Sequence, residues 1–398
     1  MLLVDLTWGH VGTPDPGGLP VSDDAVVPFP VSVPEADLVD LRERLARTRW
    51  PDAEPVDDWS QGIPLAYTQE LCAHWRDGYD WRRCEARLNE LGSFRTTIDG
   101  VDVWFLHARS PHPDATPLVM THGWPGSVWE FHRVIGPLTD PVAHGGDAAD
   151  AFHVVCPALP GYGFSSPPRE VGWGIGRIAD AWVQLMARLG YERFAAQGGD
   201  WGAMVTTQLA LRHPDRLVGI HLNMPIAAPT ADEPTPAELE ALAGFDHYQR
   251  WEAGYSTQQS TRPQTLGYGL ADSPAGQLAW IVEKFWAWTD CDGHPEQAVA
   301  RDDLLDNVML YWPPNRGASA ARLYWESFRD VNLDPVTVST GCSIFPREIF
   351  RMSRRWAEGR FHDLRHFGEL ERGGHFAAFE QPEVFVAEVR AAFATIRS

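Results

Sequence analysis

Lysine is almost absent from this chain. Lys284 is the single one, so nearly all of the 33 Lys+Arg residues are arginine, a bias that reflects GC-rich coding more than chemistry. Basic charge is scarce as a whole: 54 Asp+Glu leave a formal net charge of −21. A surface this acidic repels phosphate backbones and anionic lipid heads, so neither nucleic acid nor a membrane surface is an expected partner. The five cysteines (Cys72, Cys84, Cys156, Cys291, Cys342) are widely spaced, with no CxxC pair. That excludes zinc and dithiol motifs and points to reduced thiols in a cytoplasm. No apolar run approaches the length of a membrane span. The first eleven residues carry Asp5 and His10 without a basic region, so no secretory signal is expected there. Repeats and low-complexity tracts are missing too.

What is present is globular. The 398 residues allow one elaborated domain or two ordinary ones, and 44% hydrophobic residues supply a sizeable core. Residues 1–27 read as a loose arm. Helices are expected at 34–49, where Leu38, Leu41 and Leu45 share a face, and at 65–79. Together, residues 1–92 form an N-terminal strap. From Phe94 short strands alternate with helices: strands at 94–98, 101–107, 117–121, 152–158, 193–197 and 217–223, and helices at 127–135, 175–189 and 202–212. This alternation predicts an α/β fold with a mostly parallel sheet, helices on both faces and ligands at the carboxyl ends of the strands. It occupies residues 93–224. The stretch 225–333 is helical and aromatic and reads as an inserted cap. The sheet pattern resumes over 334–398, with strands at 336–345 and 364–370 and helices at 349–358 and 382–396.

Three motifs carry chemistry. Gly198-Gly199-Asp200-Trp201-Gly202 lies between a strand and a helix, where small residues two before and two after the central one permit a nucleophile elbow. Here the raised side chain is a carboxylate. His122-Gly123-Trp124-Pro125-Gly126-Ser127 follows another strand, in the loop that supplies one backbone N–H of an oxyanion hole; the other comes from the residue after the nucleophile. These would be Trp124 and Trp201. Ser127 and Glu130 have the spacing of a capping box that starts a helix. Gly373-Gly374-His375-Phe376 stands in a loop before the last helix, and chain order places the acid before it, after the strand 336–345. Glu348 holds that position, with Asp363 and Glu358 as competitors.

These residues resemble the α/β-hydrolase-fold epoxide hydrolases of the microsomal type, with an N-terminal meander. The resemblance runs from about Pro28 to the C-terminus. Pro28-Phe29-Pro30 and Trp50-Pro51 are similar to the meander. His122-Gly123-Trp124-Pro125, Gly199-Asp200-Trp201-Gly202 and Arg372 to Glu380 are similar to the core motifs. Pro346-Arg347-Glu348-Ile349 resembles the acid-bearing turn and so favours Glu348. Gly254-Tyr255, followed by Gln259, Thr261, Arg262, Pro263 and Thr265, resembles the segment with the first epoxide-polarising tyrosine, and Arg322-Leu323-Tyr324 the second.

The resemblance implies a covalent mechanism. Asp200 attacks an epoxide carbon while Tyr255 and Tyr324 protonate the leaving oxygen. His375, supported by Glu348, then activates water against the ester, with Trp124 and Trp201 holding the oxyanion. No metal or cofactor is required. Bacterial members of the branch include enzymes of natural-product pathways, among them enediyne biosynthesis. Trp280, Trp286 and Trp288 read first as cap core, with one or two of them lining a pocket for a bulky or aromatic epoxide; a homodimer is the assembly considered. Two other readings compete. A haloalkane dehalogenase shares the Asp nucleophile but has no use for two phenols, and a non-catalytic binding protein on this fold would not need the whole set.

Overall fold

The computed structural model describes residues 24–230 and 232–398. Nine strands form one sheet: β1 (Val27–Pro28), β2 (Ser93–Ile98), β3 (Val101–Ala108), β4 (Thr116–Thr121), β5 (Phe152–Pro157), β6 (Phe194–Gly198), β7 (Leu217–Leu222), β8 (Thr340–Ile344) and β9 (Leu364–Glu369). Their order is β1-β2-β3-β5-β4-β6-β7-β8-β9. The edge from β1 to β5 is antiparallel, and β5-β4-β6-β7-β8-β9 run parallel. Strands β6 and β8 are buried along their whole length, as strands covered by helices on both faces must be.

The covering helices bury apolar stripes. Ile175–Arg188 turns Ile178, Trp182 and Leu185 to the sheet at helical spacing, and Pro382–Arg397 does the same with Phe385, Val389 and Phe393 on the other face. Among the described residues eight helical segments lie between β7 and β8, from Pro236–His247 to Gly317–Ser327. Among them, Gly317–Ser327 packs across Pro263–Asp272 and Gly254–Thr261. The Gly267 Cα faces Ala318, where a Cβ would come within 2.4 Å.

Several expectations shift. Residues 1–23 of the expected arm lie outside the described residues, and its end is anchored rather than loose: Val27 pairs with Arg95 in the sheet, and Asp24 accepts a hydrogen bond from Arg188. A third N-terminal helix, Trp81–Glu90, was not anticipated. Its arginines and glutamates dilute the pattern, yet Trp81, Cys84 and Leu88 are buried and Asp80 caps it by accepting from the Arg82 N–H. The expected helix 127–135 is a 3-10 turn, Val128–Phe131, followed by a short helix, Ile135–Thr139. Ser127 Oγ accepts from the Trp129 N–H and not from that of residue 130, so only half of the capping box forms, the Glu130 carboxyl accepting from the Ser127 N–H, and a four-residue turn has little aligned dipole. The strand expected at 336–345 is continuous only over Thr340–Ile344; before it Val336 bridges Phe361 as an isolated pair, and the register against β9 shifts between Thr340 and Gly341. The helix expected at 349–358 starts at Arg354 behind the cap Ser353, leaving Ile349 to Met352 as irregular chain.

Candidate active site

Four loops meet at the carboxyl ends of β4, β6, β8 and β9. The sharpest is the elbow after β6. Asp200 has φ +50°, a left-handed conformation that a side-chain-bearing residue adopts only where the surroundings force it. The turn closes because its neighbours lack Cβ atoms: one on Gly198 would sit 2.1 Å from the Gly202 carbonyl oxygen, and one on Gly202 would sit 1.8 Å from that of Thr121. The helix Trp201–Arg212 starts at once, with Asp200 at its N-terminal boundary.

The carboxylate is held from two sides. The Trp124 N–H donates to Asp200 Oδ1 at 2.8 Å, and His375 Nε2 lies 3.3 Å from Oδ2. His375 Nδ1 meets Glu348 Oε1 at 2.6 Å. Burial works against an imidazolium at His375, but the Glu348 and Asp200 carboxylates overcome it and hold its pKa well above the ordinary value. Asp200, Glu348 and His375 therefore stand together. The competing acids do not join them: Asp363 is tied to Ser339 and Arg365, and Glu358 to Arg354 on the surface. Trp201 heads its helix, where main-chain N–H groups lack intrahelical partners.

The loop after β4 is pinned by the cap. Asn307 Nδ2 donates to the Pro125 carbonyl, Ser127 Oγ donates to Asn307 Oδ1, and Tyr311 Oη donates to the Gly126 carbonyl. His122 is a strut in this loop. The Leu159 N–H donates to its Nε2 and its Nδ1 faces the Gly123 carbonyl, while burial pushes its pKa down to about 4. Asn307 and Tyr311 had no motif to mark them.

Tyr255 and Tyr324 reach the same spot from two cap helices, their rings 5.8 Å apart. Tyr255 stacks on Trp124 at 4.7 Å, and Tyr324 sits edge-on to Trp201 at 4.8 Å. Tyr255 Oη pairs with Tyr248 Oη at 2.9 Å and has the Tyr324 hydroxyl within reach on its other side. Burial pushes both phenols well above the usual range. Tyr248 belongs to the site although no motif marked it.

A pocket of about 440 Å³ opens over Asp200, Tyr255 and Tyr324. Its aromatic walls are Phe245, Tyr248, Phe328, Phe350 and Trp356, with Met204 and Met224 at the base. This corrects the expectation for the cap tryptophans, since Trp280, Trp286 and Trp288 do not line it. Trp286 stacks on Trp59 of the N-terminal segment at 5.0 Å, Trp280 Nε1 donates to Gln259, and Trp288 packs edge-on to His375 at 5.1 Å. Their helix, Pro274–Trp288, is buried between the N-terminal segment and the back of the site.

Comparison with known proteins agrees along the chain. The family profile "Epoxide hydrolase N terminus" matches residues 26–131, and "alpha/beta hydrolase fold" matches 116–264. A Stigmatella aurantiaca protein named "Putative epoxide hydrolase" is 53% identical, over 94% of this chain and 86% of its own length. Epoxide hydrolase 1 of Sus scrofa is 34% identical over 98% of this chain and 92% of its own. The crystal structure of juvenile hormone epoxide hydrolase from Bombyx mori superposes with a TM-score of 0.86 at 32% identity, covering 94% of this chain and 95% of that one. The fold, the carboxylate-bearing elbow and relatives spanning nearly the whole sequence lead to one assignment: the chain belongs to the epoxide hydrolases of the α/β-hydrolase fold.

Proposed function

We propose that this enzyme converts its epoxide to a vicinal diol through an ester on Asp200. The observation that carries the reading is the carboxylate on the strained elbow, with one oxygen on the Trp124 N–H and the other open to the pocket and to His375. An epoxide carbon is sp3, so it reacts by displacement, and a carboxylate attacks it without prior loss of a proton. Oδ2 attacks in line. The ring C–O bond breaks, and Tyr324 and Tyr255 supply the proton that the expelled alkoxide needs. Tyr324 lines the pocket beside Tyr255, placed to donate, and Tyr248 supports Tyr255 from behind.

Esterification removes the negative charge of Asp200. The imidazolium of His375 then loses one of its two carboxylate neighbours, its pKa falls, and Nε2 becomes free to act as a base. Glu348 fixes the ring through Nδ1 and stabilises the charge that returns when water is deprotonated. The oxyanion at Asp200 is received by the main-chain N–H groups of Trp124 and Trp201. Collapse releases the diol.

The apolar 440 Å³ pocket favours a bulky or aromatic epoxide. We read residues 1–92 as arm and meander, 93–224 and 334–398 as hydrolase core, and 225–333 as cap. Among the described residues no helix is long and apolar enough to cross a membrane. The cytoplasm, a homodimer and a role in bacterial natural-product or antibiotic biosynthesis complete the reading. A panel of epoxides assayed for diol, with His375→Gln alongside, tests the core of it. The variant should gain the mass of one substrate on the peptide containing Asp200, and diol formation without such an adduct at any time would contradict the ester.

A further inference from the structure

A second cavity meets the substrate pocket at Asp200. It measures about 20 Å³ and is walled by Glu130, Phe131, Asn223, His375 and Phe376 among others. Asp200 is the one residue that lines both spaces. A chamber of this size admits a single water, and a water settles only where two or more polar groups face it. Glu130, His375, Asn223 and Asp200 are the charged and amide-bearing residues of its lining, together with His122 and Thr121.

Glu130 is placed there by construction. Its carboxyl occupies the space beside Gly126, where a Cβ would come within 1.4 Å of Oε1. The Ser127 N–H donates to it, and no side chain among the described residues does. Burial and the charge of Asp200 push its pKa up to about 8, against the pull of His375. A carboxyl in apolar surroundings without a side-chain partner is a costly group to keep, and neither ring opening nor the support of His375 uses it.

We propose that this chamber seats the hydrolytic water and that Glu130 is its second anchor, paired with His375 across the face of the Asp200 ester. The inference rests on the covalent reading above. One water O–H bond breaks as the proton passes to His375 Nε2, while the other hydrogen is held by a Glu130 oxygen. The water oxygen bonds to Cγ of Asp200. The Cγ–O bond to the substrate then breaks, and the diol oxygen leaves with the proton from His375. The new carboxylic acid at Asp200 loses its proton as the tyrosine phenolate is refilled. Water therefore reaches the ester from this chamber and does not have to pass the bound substrate, which explains how a pocket filled by an apolar epoxide can still be hydrolysed.

The two half-reactions separate this idea from the one it rests on. Wild type, Glu130→Gln and Glu130→Ala would be mixed with an epoxide that wild type turns over, styrene oxide being the first of a panel, and sampled by rapid quench and intact-protein mass. Ester formation should proceed at the wild-type rate in both variants. Hydrolysis should slow about tenfold in Glu130→Gln, which keeps the shape and one acceptor, and about a hundredfold in Glu130→Ala, so that the adduct accumulates. Unchanged hydrolysis in Glu130→Ala would overturn the assignment. So would an equal loss of both half-reactions in the isosteric Glu130→Gln, since that marks a merely structural carboxyl. Turnover by wild type with no adduct in any variant would instead overturn the ester mechanism itself.

Discussion

Removing the Tyr324 hydroxyl should slow ester formation. The residue lines the substrate pocket with the Tyr255 hydroxyl beside it, and phenylalanine removes the hydroxyl at nearly constant shape. A hydrogen bond to a developing alkoxide is charge-assisted and contributes about 1.5–3 kcal/mol, so ester formation should slow by roughly 10- to 150-fold. Tyr255→Phe should slow the same step by a similar factor and also lower stability. It strands the Tyr248 hydroxyl, now bonded at 2.9 Å, with only Ser256 as another hydroxyl at hand. Rapid-quench rates of adduct formation and differential scanning calorimetry on both variants and the double variant read these effects. If Tyr324→Phe forms the ester at the wild-type rate, or if only KM changes, its hydroxyl does not protonate the leaving oxygen and the reasoning fails.

Glu348→Gln should slow ester hydrolysis by roughly 10²–10⁴-fold, while Asp363→Asn leaves it within about twofold, because an amide cannot support the imidazolium and Asp363 is engaged elsewhere; single-turnover decay of the adduct distinguishes them, and the reverse order would move the acid. In the free enzyme the His375 imidazolium should persist well above pH 6.5, and Asp200→Asn should lower its pKa by removing one of two carboxylates beside it, Glu130 and Glu380 remaining nearby; NMR titration of the ring reads this, and an unchanged value would contradict the coupling. It follows that the hydrolysis rate of the isolated adduct rises with pH until His375 is neutral and then levels, whereas a rate falling over that range would exclude His375 as the base. Phe350→Ala, which widens the pocket without touching Asp200, should change KM among epoxides of different bulk more than it changes the rate of water attack.

Much of this arrangement was legible in the chain because the elbow advertises itself. A glycine-framed acid between a strand and a helix, and a histidine in a glycine-rich loop before the final helix, are local patterns, and the parallel strands announce themselves as short apolar runs. The acid was narrower ground: residues alone left Glu348, Asp363 and Glu358 open, and only the fold shows that Asp363 turns to Ser339. What stayed hidden is what depends on two distant segments meeting. Asn307, on a cap helix, and Tyr311, in the turn after it, act on the loop after β4 from some 180 residues away, and nothing near them in sequence says so. Glu130 does accept from the Ser127 N–H as the capping-box spacing suggested, but spacing could not show that the same carboxyl also lines a cavity beside Asp200. The cap tryptophans are cap core, as first read, but the added expectation that one or two line the pocket fails, since a buried indole facing the N-terminal segment and one facing a substrate have the same helical spacing.

The covalent step is the centre of the account, and one turnover in oxygen-18 water addresses it directly. With enzyme in excess over epoxide, Asp200 donates its own carboxylate oxygen to the diol when water attacks Cγ of the ester. The diol should therefore emerge mostly unlabelled, and the peptide containing Asp200 should become heavier by one oxygen-18 substitution, by mass spectrometry. Fully labelled diol with an unlabelled Asp200 peptide would mean that water opens the epoxide itself, and would contradict the mechanism.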